Sequence, residues 1–178
     1  AGFENFHEAS YSSAKSQEPN GWHSFMSSTG SMADAVSAAV HTYASSEVRE
    51  NAAEDNKQCV KIVSTPVKVG PIVAASANGT ITTGRLKAGS MTASSKDNCS
   101  FLDFSSTDVD ANGDPFYAVL NNKPDAMKVW VKFKAGDGNK NPKATISALL
   151  TNGNMVQDPE DDKYAANIIG RAQNSSIE

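Results

Sequence analysis

Catalytic signatures are missing from this 178-residue chain. It holds no HExxH, GxSxG, P-loop or GxGxxG pattern, the spacings that announce a zinc protease, a serine hydrolase or a nucleotide site. Cysteine is scarce. Cys59 and Cys99 stand forty positions apart, too far for a CxxC metal or redox motif and too few for a disulfide scaffold. Both precede apolar, strand-like runs, which leaves two alternatives open: a pair of buried free thiols, or a bridge between neighbouring strands. No apolar run approaches the ~20 residues that cross a bilayer. Nor does a charged n-region or apolar h-region follow Ala1, so the sequence predicts a soluble chain from which any export signal has been removed. The 16 Lys and Arg stand against 20 Asp and Glu, for a formal net charge of -4. They are scattered and form no phosphate-tracking stripe, which argues against nucleic acid as a partner.

What is present reads as β structure in one domain spanning residues 1–178. The hydrophobic fraction of 39% with 7% aromatics suits a β-rich protein with long polar loops. Asn-Gly, which tolerates the positive φ of tight hairpin turns, occurs four times, at Asn20-Gly21, Asn78-Gly79, Asn112-Gly113 and Asn152-Gly153. Strands are expected over 2–6, 58–64, 67–75, 80–86, 100–104, 116–120, 126–134, 143–150 and 155–157. Many short strands with polar connections predict an all-β sandwich of jelly-roll type. One short helix interrupts it: over 31–45, Met32, Val36, Ala39, Val40 and Tyr43 recur at helical spacing and Ser31 could serve as N-cap. The charged stretch 46–57 that follows reads as a solvated loop, so 31–57 forms a helical and polar insertion.

The segment Asn122 to Lys134 carries the clearest alternation. Met127, Val129, Val131 and Phe133 interleave with Lys128, Trp130, Lys132 and Lys134, a pattern that predicts a half-buried strand with the apolar set inward and Lys128, Trp130 and Lys132 outward. An outward Trp among lysines offers a ligand platform. The same ring could instead lie under the helix with the lysines snorkelling over it.

The order GFENF (Gly2 to Phe6), EPNGW (Glu18 to Trp22), ITTGR (Ile81 to Arg85), Phe116 and KPDAMKVWVKF (Lys123 to Phe133) resembles a bacterial carbohydrate-metabolism domain family. The resemblance spans most of the chain through short pieces. It implies a galactose-binding-like jelly roll, in exported or surface proteins of Gram-negative bacteria that process complex glycans. The family closes with an Asp-rich strand returning beside the first. Nothing after Asn167 reads that way, so the chain is expected to lack a closing strand and to pair with a further C-terminal segment.

Within DVDANGD, Asp108, Asp110, Asn112 and Asp114 alternate around Gly113 as in the opening of an oxygen-lined calcium loop, but the twelfth position is Val119 where a bidentate Glu would be needed. A polar turn is the plainer reading. Related jelly rolls hold a structural calcium near the first strand, which makes Glu4 a second candidate. For sugars, which are recognised by flat aromatic faces and a few fixed polar groups, Trp22, Trp130, Tyr117 and Tyr164 are the available platforms, with Lys128 and Lys132 beside Trp130. For Trp22 a core plug at the sandwich end is the plainer reading. Glycoside hydrolysis needs two carboxyls across a cleft, and Glu160, Asp161 and Asp162 sit in one acidic run that reads as a solvated loop. His7, His23 and His41 show no ligand spacing and read as surface or packing residues. The expected function is a non-catalytic glycan-binding module of an exported bacterial protein. The alternatives are a glycoside-active enzyme whose acid and base converge only in the fold, and a structural or adhesion module with a protein-binding face.

Overall fold

Residues 6–19 form a tight antiparallel hairpin, β1 (Phe6–Tyr11) with β2 (Ala14–Pro19). Its corner is turned by Ser12 at φ 53°. In this register His7 stands directly opposite Glu18, so the two side chains share one face of the hairpin. The computed structural model describes residues 3–69, 71–138 and 142–178; Ala1, Gly2 and Gly70, which fall within the expected strands 2–6 and 67–75 or precede them, lie outside the described residues.

The described chain is all-β with little helix. After β2 come a 3-10 turn at Phe25–Ser27, a short helix α1 (Ala33–Ser37), and strands β3 (Thr42–Ser45), β4 (Cys59–Ile62), β5 (Thr65–Val69), β6 (Ile72–Ala77), β7 (Arg85–Ala88) and β8 (Asn98–Leu102). Next are β9 (Ala144–Thr151), β10 (Val156–Asp158), a 3-10 segment Asp162–Asn167 and β11 (Ile168–Ile177). The strands form one three-stranded sheet of order β10-β8-β7 and four two-stranded ladders: β1-β2, β3-β4, β5-β6 and β9-β11. Three of the four Asn-Gly glycines hold positive φ, Gly21 at 74°, Gly113 at 86° and Gly153 at 89°, which is why those dipeptides close turns.

The small core gathers where α1 meets the ladders: Val36, Val67 and Ala88 are buried together, and Phe25, Met32, Ala35 and Ala77 pack on them. Gly30 permits this approach. At φ 102° its missing Cβ would stand 2.5 Å from the Ala88 carbonyl oxygen, so any side chain there would force β7 away. Ser16 Oγ donates to the Thr42 carbonyl at 2.8 Å, tying the first hairpin to β3.

Several expectations are corrected. The helix expected over 31–45 is cut to five residues. Ser31 does not cap it: its hydroxyl donates to the Gly89 carbonyl at 2.9 Å, and Met32 at the cap position supplies no side-chain hydrogen bond. A helix this short has little stability of its own, and Thr42 and Tyr43, β-branched and aromatic, pair instead with Ile62 and Lys61. The single strand expected over 67–75 is instead the β5-β6 hairpin. The first strand starts four residues later than expected, β2 was not foreseen, and no strand forms at 116–120.

The largest correction falls on 126–134, which holds no strand. Met127, Val129 and Val131 are exposed to 49%, 45% and 49% against 64% for Trp130, so the alternation separates no buried face from a wet one. Alternation fixes a strand only where a neighbouring edge and a core face receive it. Here the contacts are made by side chains with the 46–58 loop: the Arg49 guanidinium lies 4.5 Å from the Trp130 ring centre, and Lys132 Nζ lies 3.3 Å from Glu47. Conversely, the tail 168–177, expected to lack a strand, is the longest strand described and pairs with β9.

Candidate functional site

Four side chains from three segments converge beside the first hairpin. His7 and Glu18 come from β1 and β2, His23 from the segment after the Asn20-Gly21 turn, and Asp110 from the DVDANGD loop. All are sealed from solvent, with side-chain exposures of 9% for His7, 1% for Glu18, 0% for His23 and 3% for Asp110. His7 Nε2 lies 3.2 Å from Asp110 Oδ2 and 3.7 Å from Glu18 Oε2, and His23 Nδ1 lies 3.3 Å from the same Asp110 oxygen.

Local structure fixes each of them. The backbone of His23 exchanges hydrogen bonds with Thr82, 2.8 Å and 3.0 Å, as an isolated bridge, which pins its Cα to the segment preceding β7. The loop 109–115 closes through a Val109–Pro115 bridge and an Asp110 N–H to Asp114 carbonyl bond of 2.9 Å. Gly21, at positive φ, donates its N–H to Asp114 Oδ2 at 2.9 Å and so links the two turns. Phe116 packs its ring 4.5 Å from the His23 ring centre, and the Arg85 guanidinium covers it at 4.6 Å.

The atoms facing away from the centre are all engaged. His7 Nδ1 faces Asn20 Oδ1 at 3.3 Å and His23 Nε2 faces the Pro115 carbonyl at 3.2 Å. Glu18 Oε1 accepts the Ser24 N–H at 2.7 Å, and Asp110 Oδ1 accepts the N–H groups of Asn112 and Asp114, both at 2.8 Å. The inward atoms carry no hydrogen bond: His7 Nε2, Glu18 Oε2, His23 Nδ1 and Asp110 Oδ2 are four of the six buried side-chain polar atoms left without one among the described residues.

The residues expected as a calcium set are thereby separated. Asp110 and Asp114 stand at this cluster, Asp114 with its carboxyl held below the usual range chiefly by the Asn112 side-chain amide, then by the Gly21 N–H and the two histidines. Asp108 is turned away to Arg85 at 3.0 Å. Asn112 donates its side-chain amide to Asp114 at 2.9 Å. Glu4 is occupied elsewhere: its Oε2 accepts the N–H groups of Lys57 and Gln58 at 2.9 Å and 3.2 Å.

The expected aromatic platforms are also dispersed. Trp22 is half-buried and meets Phe3 edge-on at 5.4 Å. Tyr117 is half-buried with Phe104 tilted on it at 4.7 Å. Trp130 alone among these three is open. Arg49 and Lys128 flank its ring at 4.5 Å and 5.2 Å. A shallow cavity of about 530 Å³ lies over the β3-β4 ladder, lined by Tyr43, Ser45, Ser46, Glu47 and Lys61 among others. Glu47, ion-paired with Lys132, joins that cavity to the Trp130 segment.

Sequence reasoning missed Tyr43, Glu47, Arg49 and Lys61 as a group, because it placed the first in a helix, Glu47 and Arg49 in a solvated loop, and Lys61 on a strand with no stated neighbour. It also missed the convergence of His7, Glu18 and His23. The available signal was the cross-strand pairing of His7 with Glu18, legible only once β2 is recognised. Both cysteines are free thiols, Cys99 buried and Cys59 half-buried. Comparison with family models, curated proteins and solved structures finds no match for this chain.

Proposed function

We propose that the protein is a non-catalytic glycan-binding module, with its site at Trp130 and the adjoining cavity over β3-β4. The observation that carries this reading is the open Trp130 ring on a segment tied, through the Lys132–Glu47 ion pair, to a polar cavity with its own aromatic wall, Tyr43, itself 42% exposed. Sugars need this combination: a flat apolar face for C–H surfaces and a few side chains for hydroxyls. Ser45, Ser46 and Glu47 supply the latter. Arg49, Lys61, Lys128 and Lys132 concentrate positive charge here in a chain whose formal net charge is -4, which favours glycans bearing carboxylate or sulfate groups.

The glycosidase alternative is less well supported. Two carboxyls must flank a bound sugar about 5 to 10 Å apart, whereas this cavity and a second one lined by Tyr11, Ser12, Ser13, Ala14, Asp34 and Ala38 are each lined with a single carboxylate. The Glu18 and Asp110 pair is sealed from any substrate. The resemblance carries two further parts of the proposal: the jelly-roll connectivity of this all-β chain, and an exported setting at the surface or periplasm of a Gram-negative bacterium.

A glycan array that includes uronic and sulfated sugars tests the reading. Binding by the wild type that falls at least tenfold in Trp130→Ala and in Tyr43→Ala, with far-UV circular dichroism unchanged, is the expected outcome. Full affinity in both variants, or no glycan retained by the wild type, overturns it.

A further inference from the structure

We infer that Glu18, His23 and Asp110 hold one first-row transition-metal dication, zinc being the best fit, and that the ion ties the 108–115 loop to the first hairpin. One ligand atom from each of the three lies within 4.8 Å of the other two. All three side chains are sealed, at 1%, 0% and 3% exposure. The atoms they leave without a hydrogen-bond partner are Glu18 Oε2, His23 Nδ1 and Asp110 Oδ2. A buried carboxylate oxygen left unpaired costs free energy that water would otherwise relieve. Two such oxygens beside one imidazole nitrogen call for a shared cation.

The hydrogen bonds around His23 say which kind. The Pro115 carbonyl can only accept, so His23 Nε2, 3.2 Å away, bears the ring proton, and Nδ1 presents its lone pair toward Asp110 Oδ2 at 3.3 Å. A second proton, on Nδ1, would draw that contact in to the roughly 2.7–2.9 Å of a charge-assisted bond. The observed spacing is instead that of two donors on a tetrahedral ion with bonds of ~2.0–2.1 Å, which stand about 3.3–3.4 Å apart. Glu18 completes the set by pivoting: the Ser24 N–H holds its Oε1 at 2.7 Å, which leaves Oε2 to swing onto the ion.

A second triplet, His7, Asp110 and Asp114, shares only Asp110 with the first. It is the poorer site. Asp114 Oδ2 already accepts the Gly21 N–H and the Asn112 side-chain amide, both at 2.9 Å, and a metal would have to displace them. His7 therefore stands outside the ligand set, with its Nε2 3.2 Å from Asp110 Oδ2.

The donor set selects the ion. An imidazole with two carboxylates suits zinc and its first-row neighbours, and zinc binds such sites more tightly than manganese or iron(II). Calcium takes six to eight oxygens and magnesium keeps several waters in an octahedral shell, so this set suits neither. Two carboxylates and one dication make a neutral centre, which lowers the cost of burying the charges. The outer atoms are anchored as ligands require: His23 Nε2 on the Pro115 carbonyl, Glu18 Oε1 on the Ser24 N–H, and Asp110 Oδ1 on the N–H groups of Asn112 and Asp114. Three protein ligands leave a fourth position for water. Because no substrate reaches side chains this deeply buried, the centre is structural.

The test uses the full chain purified without added metal. Elemental analysis is expected to give about one zinc per chain, and the stripped protein is expected to take up one cobalt(II) with the intense visible bands of a four-coordinate site. Chelation is expected to lower Tm by roughly 10 °C, the size expected for an ion held at a thousand times its Kd in a chain of this length, and added zinc is expected to restore it. Glu18→Gln and Asp110→Asn are expected to lose the metal, while His7→Gln and Asp114→Asn keep it. Should the first two fail to fold, stripping and reloading the wild type stands as the independent readout. A Tm indifferent to chelator and zinc, less than half an equivalent of metal, or preference for calcium overturns the assignment. So does a folded His7→Gln or Asp114→Asn variant that loses the ion, which would place it in the second triplet. Neither measurement involves a glycan, so this proposal and the glycan reading fail separately.

Discussion

Phe116→Ala is the perturbation whose cost the packing defines most directly. The side chain is 7% exposed, its ring meets His23 at 4.5 Å on one side and the Arg85 guanidinium at 4.6 Å on another. Emptying such a site removes the transfer free energy of the ring and leaves a cavity, about 3–5 kcal/mol together. Because His23 is held by its backbone bonds to Thr82, it cannot easily move in to fill the space, which places the expected loss near the middle of that range, about 4 kcal/mol. For a chain of this length each kcal/mol lowers Tm by about 2–4 °C, so the expected fall is roughly 8–16 °C. Differential scanning calorimetry reads it, with Leu120→Ala as an internal control, since Leu120 is 57% exposed and its truncation should change stability by less than ~0.5 kcal/mol. A double-mutant cycle with Arg85→Met isolates the cation contact, expected at about 0.5–1 kcal/mol. Equal melting temperatures for Phe116→Ala and Leu120→Ala would refute the placement of Phe116 and with it the wall behind His23.

Two further outcomes separate the structure from readings the sequence also allows. Val131→Asp, at a side chain 49% exposed, is expected to leave Tm within about 2 °C of the wild type, whereas Val156→Asp, at 2% exposure, should abolish folding; thermal melts of the two variants settle whether the 126–134 alternation marks a core strand, since a large loss at Val131 would reinstate it. Burial pushes the Cys99 thiol up, while Cys59 is only half-buried with its Sγ 3.1 Å from the Glu47 carbonyl, so a chromogenic disulfide reagent at pH 8 should titrate one thiol in the native protein and the second only in denaturant; no reactive thiol in either state would mean a bridge.

Features set by nearest-neighbour chemistry were the legible ones. Asn-Gly turns, the strands at 59–62, 98–102, 144–151 and 156–158, and the all-β class follow from local preferences that this chain keeps. Illegible were the features that depend on a partner. Whether Val131 is inside depends on a sheet edge outside its own tripeptide, and no residue in NKPDAMKVWVKFK records that no such edge receives it among the described residues. Likewise Thr42 and Tyr43 have a helix-compatible spacing, but Ile62 and Lys61 offer them a ladder. At the site, Asp110 and Asp114 were singled out from oxygen spacing alone. The imidazoles that share their pocket come from residues 7 and 23, about a hundred positions earlier, and sequence carries no trace of that closure.

Surface area shows how far this fold leans on polar contacts. A compact monomer of 18.8 kDa is expected to expose about 8,300 Å², whereas this chain exposes 11532 Å². Among the described residues four of the five sheets are two-stranded ladders, the class of element that is marginal in water unless something covers its face. The hydrophobic effect is correspondingly small here, since the principal buried cluster centres on Val36, Val67 and Ala88. The β1-β2 hairpin, the His23 strand segment and the 108–115 loop therefore depend on polar contacts for their mutual placement, and four inward atoms without hydrogen bonds would by themselves push those segments apart.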